Sequence, residues 1–278
     1  MERKQTLLAA SRALTKAEIE HYQAHGWAKL DQLVSPQTVA YLLSVLRMAR
    51  GTTGDRGAPP RGAGIPFFLP DHLGGGYCDE ALHPLHKMLG RNAEALLDRG
   101  NDIGMRYFDS IFLTKLPSQK QELSGTGRTD FHQDYPDWKL DRAGGMVFWI
   151  ALGDYGPESG TMSFLSGSQR KGPLGSLVTW MATGRTINDL YPKLSADCPL
   201  TQAMTYKAGD ATVHSDLTLH GAGRNLTGQP RQSYTVIYTL ADACWTGAPA
   251  LNRYEASVKA GLRPMDILDD ANFPRVVD

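Results

Sequence analysis

The chain has 278 residues, enough for one large β domain with added helices, since such domains run to roughly 250 residues. Lysine plus arginine and aspartate plus glutamate number 29 each, so no bulk charge draws the protein to nucleic acid or to an anionic membrane, and a small-molecule substrate fits better. Three scattered cysteines, Cys78, Cys198 and Cys244, lack CxxC spacing and argue against a secreted disulfide framework.

In chain order, the apolar run Leu7 to Ala10 is broken at once by Ser11 and Arg12. It lacks the length of a signal peptide or membrane span, which predicts a soluble, cytoplasmic protein. Thr15 followed by Glu18 forms a capping-box pattern for a short helix that Gly26 should end, and Trp27 to Leu30 begins a strand. Ser35-Pro36 reads as an N-cap with proline at the first helical position. Val39, Leu42, Leu43, Leu46 and Met48 give the following helix an apolar face. Residues 51–76 are rich in Gly and Pro and predict a long loop, either a lid or a connector. Leu82, Leu85, Met88 and Leu89 mark an amphipathic segment that carries His83 and His86. Met105 to Leu116 and Met146 to Leu152 predict strands that bracket His132 to Trp138, and Ala211 to Leu219 predicts another.

The triplet His132-Gln133-Asp134, answered downstream by His220, carries the chemistry. Two imidazoles and one carboxylate are the set that holds a mononuclear ferrous ion on one face and leaves the opposite positions open. Side chains two apart on a strand share a face, so His132 and Asp134 can reach one ion, with His220 brought in from a facing strand of a closed β structure. A bare H-x-D arises often by chance. The context after His220 adds weight, because Gly221, Gly223, Gly228 and Pro230 predict a hairpin leading to Arg231-Gln232-Ser233. The Arg231 guanidinium is a planar fork suited to a carboxylate, and Ser233 could add a hydrogen bond. His214 competes with His220, since an even separation of six would put both on one face of the same strand. The spacing to Arg231 favours His220 and leaves His214 behind the site or in the core. No Walker-type loop, Gly-x-Ser-x-Gly elbow or zinc-type cysteine pair is present in the sequence.

The chain resembles the phytanoyl-CoA dioxygenase family of iron(II)- and 2-oxoglutarate-dependent oxygenases. The resemblance runs from Leu14-Thr15 and Gly26 through Phe131-His132-Gln133-Asp134, Phe148 to Leu152, Glu158 to Met162, Ser166 to Gln169 and Gly209-Asp210 to His220 and Arg231. It implies one mainly β domain over 1–278, a double-stranded β-helix (jelly-roll, cupin-like) core at 105–240. Flanking helices in residues 1–50 would buttress it, and an insertion at 171–207 would cover the substrate mouth. Within that insertion, Trp180 and Met181 are either substrate contacts or ordinary core, and a helix is expected near Ile187 to Leu190.

By the same resemblance His132, Asp134 and His220 would be the catalytic iron ligands and Arg231 the anchor of the distal 2-oxoglutarate carboxylate. Gln133 and Trp149 would line the co-substrate pocket. The family often has serine where Ala222 stands, which gives Ser233 or another donor more to do. The implied chemistry is hydroxylation of a small organic metabolite, coupled to conversion of 2-oxoglutarate and O2 to succinate and CO2, with secondary-metabolite tailoring as the setting. Desaturation, cyclisation and epimerisation are open to the same machinery, and a non-catalytic β-barrel binding module is the competing class.

Overall fold

The computed structural model describes residues 12–53, 65–67, 82–97, 103–115, 117, 128–175, 192–249 and 253–276. Helix α1 (Lys16–His25) begins as its sequence dictates. The Thr15 hydroxyl accepts from the Glu18 N–H while the Glu18 carboxylate accepts from the Thr15 N–H, so two end donors are satisfied reciprocally. It stops at Gly26, whose φ of 78° is left-handed and whose N–H donates to the Tyr22 carbonyl. Thr15→Ala is expected to destabilise the protein by about 1 kcal/mol, seen as a lower urea midpoint at unchanged slope.

Strand β1 (Trp27–Leu30) follows, then helix α2 (Pro36–Thr53), with Ser35 Oγ accepting from the Thr38 N–H at 3.1 Å. Strand β2 (Ile65–Phe67) lies inside the segment expected to be loop, residues 51–76, and α2 itself runs to Thr53. Pro66 is tolerated because β2 is the edge strand of its sheet, where one face of the backbone needs no donor. Helix α3 (His83–Leu96) buries Leu85, His86 and Leu89. His86 Nε2 lies 2.7 Å from the Tyr234 hydroxyl, so this histidine serves the core. The expected helix near Ile187 to Leu190, and Trp180 and Met181, lie outside the described residues.

The remaining elements are β3 (Met105–Lys115), β4 (Thr129–His132), α4 (Tyr135–Trp138), β5 (Met146–Ala151), β6 (Met162–Phe164), α5 (Leu194–Asp197), β7 (Ala211–Ser215), β8 (His220–Ala222), β9 (Arg231–Leu240) and α6 (Glu255–Lys259). They build two antiparallel sheets, one ordered β1-β7-β5-β9-β3-β2 and one ordered β4-β8-β6. This is the double-stranded β-helix arrangement, with the sheets packed face to face. Trp27 stacks on Phe164 at 5.2 Å between them.

The two faces of the large sheet differ because alternate residues point opposite ways. Leu30, Phe148, Ile150, Val213, Tyr234 and Val236 join Leu42, Leu46, Leu85 and Leu89 of the helices in one continuous core. The other face carries Trp149 and Ala151 toward Met162 and Phe164 of the small sheet. On that inner face the register sets Val147 opposite His214, Trp149 opposite Thr212 and Thr235, and Ala151 opposite Ser233. Burial on the outer face holds the fold, while the inner face is left with polar groups to arrange.

Candidate functional site

His132 and His220 are brought together more directly than facing strands would do it. They are register partners on β4 and β8 of one sheet, with ring centroids 4.3 Å apart. Asp134 does not continue the strand. Its backbone is helical, φ −78° and ψ −38°, at the start of the α4 turn that Pro136 helps to set. The N–H groups of Asp134 and Tyr135 both donate to the Asp216 carbonyl at 3.0 Å, which pins the turn beside β8. The triplet therefore converges through a tertiary contact and not through strand alternation.

His214 and His220 also differ from expectation. They lie on β7 and β8, in different sheets, separated by the turn at 216–219. His220 and Arg231 likewise stand on different sheets and form no hairpin, because the glycines after Ala222 carry the chain across from one sheet to the other.

Facing atoms of His132, Asp134 and His220 all lie within 4.8 Å of one another. His132 Nε2 is 3.6 Å from Asp134 Oδ1, and His220 Nε2 is 3.9 Å from Asp134 Oδ2. Ligands about 2.1 Å from one ion and mutually cis are about 3 Å apart, so both carboxylate–imidazole separations lie within about an ångström of such a set. The tautomers suit it as well. His132 Nδ1 donates to the Asp130 carbonyl at 2.8 Å and His220 Nδ1 to the Thr218 carbonyl at 3.0 Å. A carbonyl only accepts, so each ring keeps its lone pair on Nε2, toward the centre. His214 is different, with Nε2 3.2 Å from Asp134 Oδ2, where it braces the carboxylate.

The electrostatics agree with the geometry. Burial pushes the Asp134 carboxyl up, but His220, His132 and His214 outweigh it and hold the group well below the usual carboxylate range. Burial, reinforced by His214 and His132, keeps His220 well below the ordinary histidine range. For His132 burial is opposed and outweighed by Asp134, which leaves it raised. An ionised carboxylate beside a neutral imidazole is the form a metal takes.

Arg231 opens β9 on the inner face, its guanidinium 5.1 Å over the Trp149 ring. Only 5% of it is exposed. Nη1 donates to the Gly160 carbonyl at 2.9 Å, while Nε is buried with no partner, as are the hydroxyls of Thr161 and Thr235. Burial pushes Arg231 down to about 10, so it is still charged at neutral pH, with no carboxylate to meet it among the described residues. A guest with a carboxylate end would satisfy these groups, so this set fits 2-oxoglutarate as the first set fits iron.

Ser233 shares the face of Arg231, with its hydroxyl donating to the Leu113 carbonyl at 3.4 Å. Trp149 is buried beneath the guanidinium and beside Tyr206. Gln133 is fully buried but spends its amide elsewhere. Nε2 donates to the carbonyls of Gly172 and Leu217, and Oε1 accepts from the Leu174 N–H. Sequence reasoning missed Lys115, the register partner of Arg231 on β3, only 2% exposed. A lysine closing an apolar strand was the sole signal, and its partner lay on a strand far along the chain.

Two facing antiparallel sheets with a His-Asp-His cluster at their mouth define the class of double-stranded β-helix metal-site proteins. A family model described as phytanoyl-CoA dioxygenase matches residues 76–233, and the chain belongs to that family. It is accordingly an iron(II)- and 2-oxoglutarate-dependent oxygenase, using O2 as co-substrate. No curated protein matches it. Among solved structures it is similar to SnoK, a non-heme α-ketoglutarate-dependent carbocyclase from nogalamycin biosynthesis, at 23% identity, TM-score 0.74, over 95% of this chain and 97% of that one. It is also similar to the epimerase SnoN in complex with Fe3+, α-ketoglutarate and nogalamycin RO, at 20% identity, TM-score 0.66, over 94% and 98%. EvdO2 from Micromonospora carbonacea var. aurantiaca, complexed with 2-oxoglutarate, gives 22% identity and TM-score 0.59 over 88% and 98%. At such identities these likenesses speak to the fold.

Proposed function

We propose that the protein oxidises a C–H bond of a small organic metabolite in natural-product tailoring, with hydroxylation as the simplest outcome. His132, Asp134 and His220 hold the ferrous ion, and Arg231 anchors the distal carboxylate of 2-oxoglutarate. The observation that carries this reading is the pairing of a three-atom ligand cluster based on the small sheet with a buried guanidinium on the large sheet that has no carboxylate partner among the described residues. When bound, iron and 2-oxoglutarate supply oxidation of an unactivated C–H bond, coupled to the conversion of 2-oxoglutarate and O2 to succinate and CO2.

The chain's own residues position and exclude. Thr218 and Asp130 carbonyls orient the two imidazoles, His214 steadies Asp134, and Trp149 with Tyr206 walls the space around Arg231. SnoK comes from nogalamycin biosynthesis, SnoN holds nogalamycin RO with α-ketoglutarate, and EvdO2 holds 2-oxoglutarate, which supports a tailoring role. Residues 171–207 are proposed to border the substrate mouth. The balanced charge favours a small molecule over nucleic acid. Among the described residues no helix is long and apolar enough to cross a membrane, and Cys198 and Cys244 are free thiols. Both are compatible with the proposed cytoplasmic setting.

The test is an anaerobic visible spectrum of the iron-loaded protein. Addition of 2-oxoglutarate is expected to produce a charge-transfer band, as bidentate chelation at iron requires. A metal-loaded protein whose spectrum does not respond would overturn the reading.

A further inference from the structure

Two buried basic side chains meet where β3 ends and β9 begins. Lys115 and Arg231 are direct register partners, 2% and 5% exposed. Their donors converge on two adjoining glycines at the margin of the small sheet, just before β6 and just after β8. Arg231 Nη1 donates to the Gly160 carbonyl at 2.9 Å, and Lys115 Nζ donates to the Gly223 carbonyl at 2.6 Å. Gly160 and Gly223 abut so closely that a Cβ on Gly160, whose φ is +70°, would sit 2.4 Å from the Gly223 oxygen. The other contacts of the ammonium are longer, at 3.5 Å to Thr129 Oγ1 and to the Ala222 carbonyl.

Among the described residues neither group has a carboxylate partner, and burial, reinforced by Arg231, pushes Lys115 down to about 7, so in the absence of an anion it is only partly charged at neutral pH. Removing an ammonium and a guanidinium from water costs several kcal/mol each, and placing them side by side adds repulsion. Carbonyl dipoles offset only part of this. A fold that keeps both groups dry and adjacent is complementary to an anion that arrives from outside.

We propose that Lys115 is a second cationic contact for the distal carboxylate of 2-oxoglutarate, a point charge beside the planar fork of Arg231. The inference rests on the function proposed above and assigns Lys115 a binding role that the ligand triad and Arg231 alone do not give it. The competing role is a tie between sheets, in which the ammonium serves only to hold the Gly223 carbonyl. The two differ in charge dependence and in ligand dependence. A tie matters equally to any 2-oxo acid, whereas a carboxylate contact matters only to one with a distal carboxylate.

The experiment titrates iron(II)-loaded protein under nitrogen with 2-oxoglutarate and, separately, with 2-oxobutyrate, which chelates alike but lacks the distal carboxylate. Wild type, Lys115→Gln and Lys115→Arg are compared by calorimetry. Lys115→Gln removes the charge and keeps a donor for Gly223. It is expected to raise the Kd for 2-oxoglutarate about tenfold or more while leaving that for 2-oxobutyrate within about twofold, the loss of one charge-assisted contact. Lys115→Arg keeps the charge and should retain most of the preference for 2-oxoglutarate. Unchanged 2-oxoglutarate affinity in Lys115→Gln, or equal loss for both acids, overturns the proposal. Should Lys115→Gln fail to fold, loss of preference in folded Lys115→Arg does the same. Wild-type protein that binds iron but not 2-oxoglutarate would instead defeat the underlying functional reading, and the Lys115 role with it.

Discussion

Asp134→Ala is expected to lower succinate formation and substrate oxidation by more than about 100-fold, because even partners that only orient a ligand are worth 10–100-fold in such sites. Among the described residues Asp134 is the only carboxylate in the His132–His220 cluster, and three imidazoles face it at 3.2 to 3.9 Å. Removing it strips the ion of its one anionic ligand and leaves His214 with no acceptor for Nε2. Iron content after gel filtration should fall with activity, and the two together separate lost ligation from lost chemistry. A variant that retained full turnover would sink the assignment of Asp134, and with it the ligand triad.

Arg231→Met should give two opposite shifts. Affinity for 2-oxoglutarate is expected to fall by about 2–5 kcal/mol, or roughly 30-fold to several thousand-fold, the usual range for truncating one member of a buried charge pair. Iron binding should be preserved, since no ligand atom changes. The variant without co-substrate, however, is expected to melt no lower than wild type. The variant removes a buried cation whose Nε is unpartnered, at the loss of one bond to Gly160 and of the contact with Trp149. At one fixed concentration 2-oxoglutarate should raise the melting temperature of iron(II)-loaded wild type by clearly more than that of the variant. Thermal unfolding of both proteins under nitrogen, with and without the co-substrate, reads all of these shifts. Equal stabilisation of the two proteins would remove Arg231 from the co-substrate's anchor.

Local rules in the chain translated well into structure. Thr15 with Glu18 and Ser35 with Pro36 became the helix starts they predict, and the apolar run Met146 to Leu152 became a strand ending one residue earlier, at Ala151, because capping and burial are decided within a few residues. Ligand chemistry alone singled out His132, Asp134 and His220 as a candidate set, and the structure draws the three together. The geometric reasons offered for them did not hold. Parity arguments assume an unbroken strand, and here β4 ends at His132 while a turn at 216–219 divides β7 from β8. What bends the chain is the Asp216 carbonyl, which accepts two N–H groups from residues 134 and 135, while the Asp216 carboxylate accepts from Gly144 and Gly145. No local pattern encodes that contact. Lys115 was hidden for a related reason, since only the pairing register of β3 with β9 reveals that it stands beside Arg231.

Gln133 sits between two of the proposed ligands and grips the backbone at Gly172, Leu174 and Leu217. One side chain thereby joins the triplet to the start of the segment 171–207 and to the turn that precedes His220. For protein engineering this makes a transplant of that segment from a relative a non-modular operation. A graft that shifts the main chain at 172 or 174 would leave a buried amide unsatisfied and pull on the residues at 132 and 134. Crossover points placed after Leu174 keep that joint intact, and chimeras cut there should retain iron where those cut before Gly172 do not.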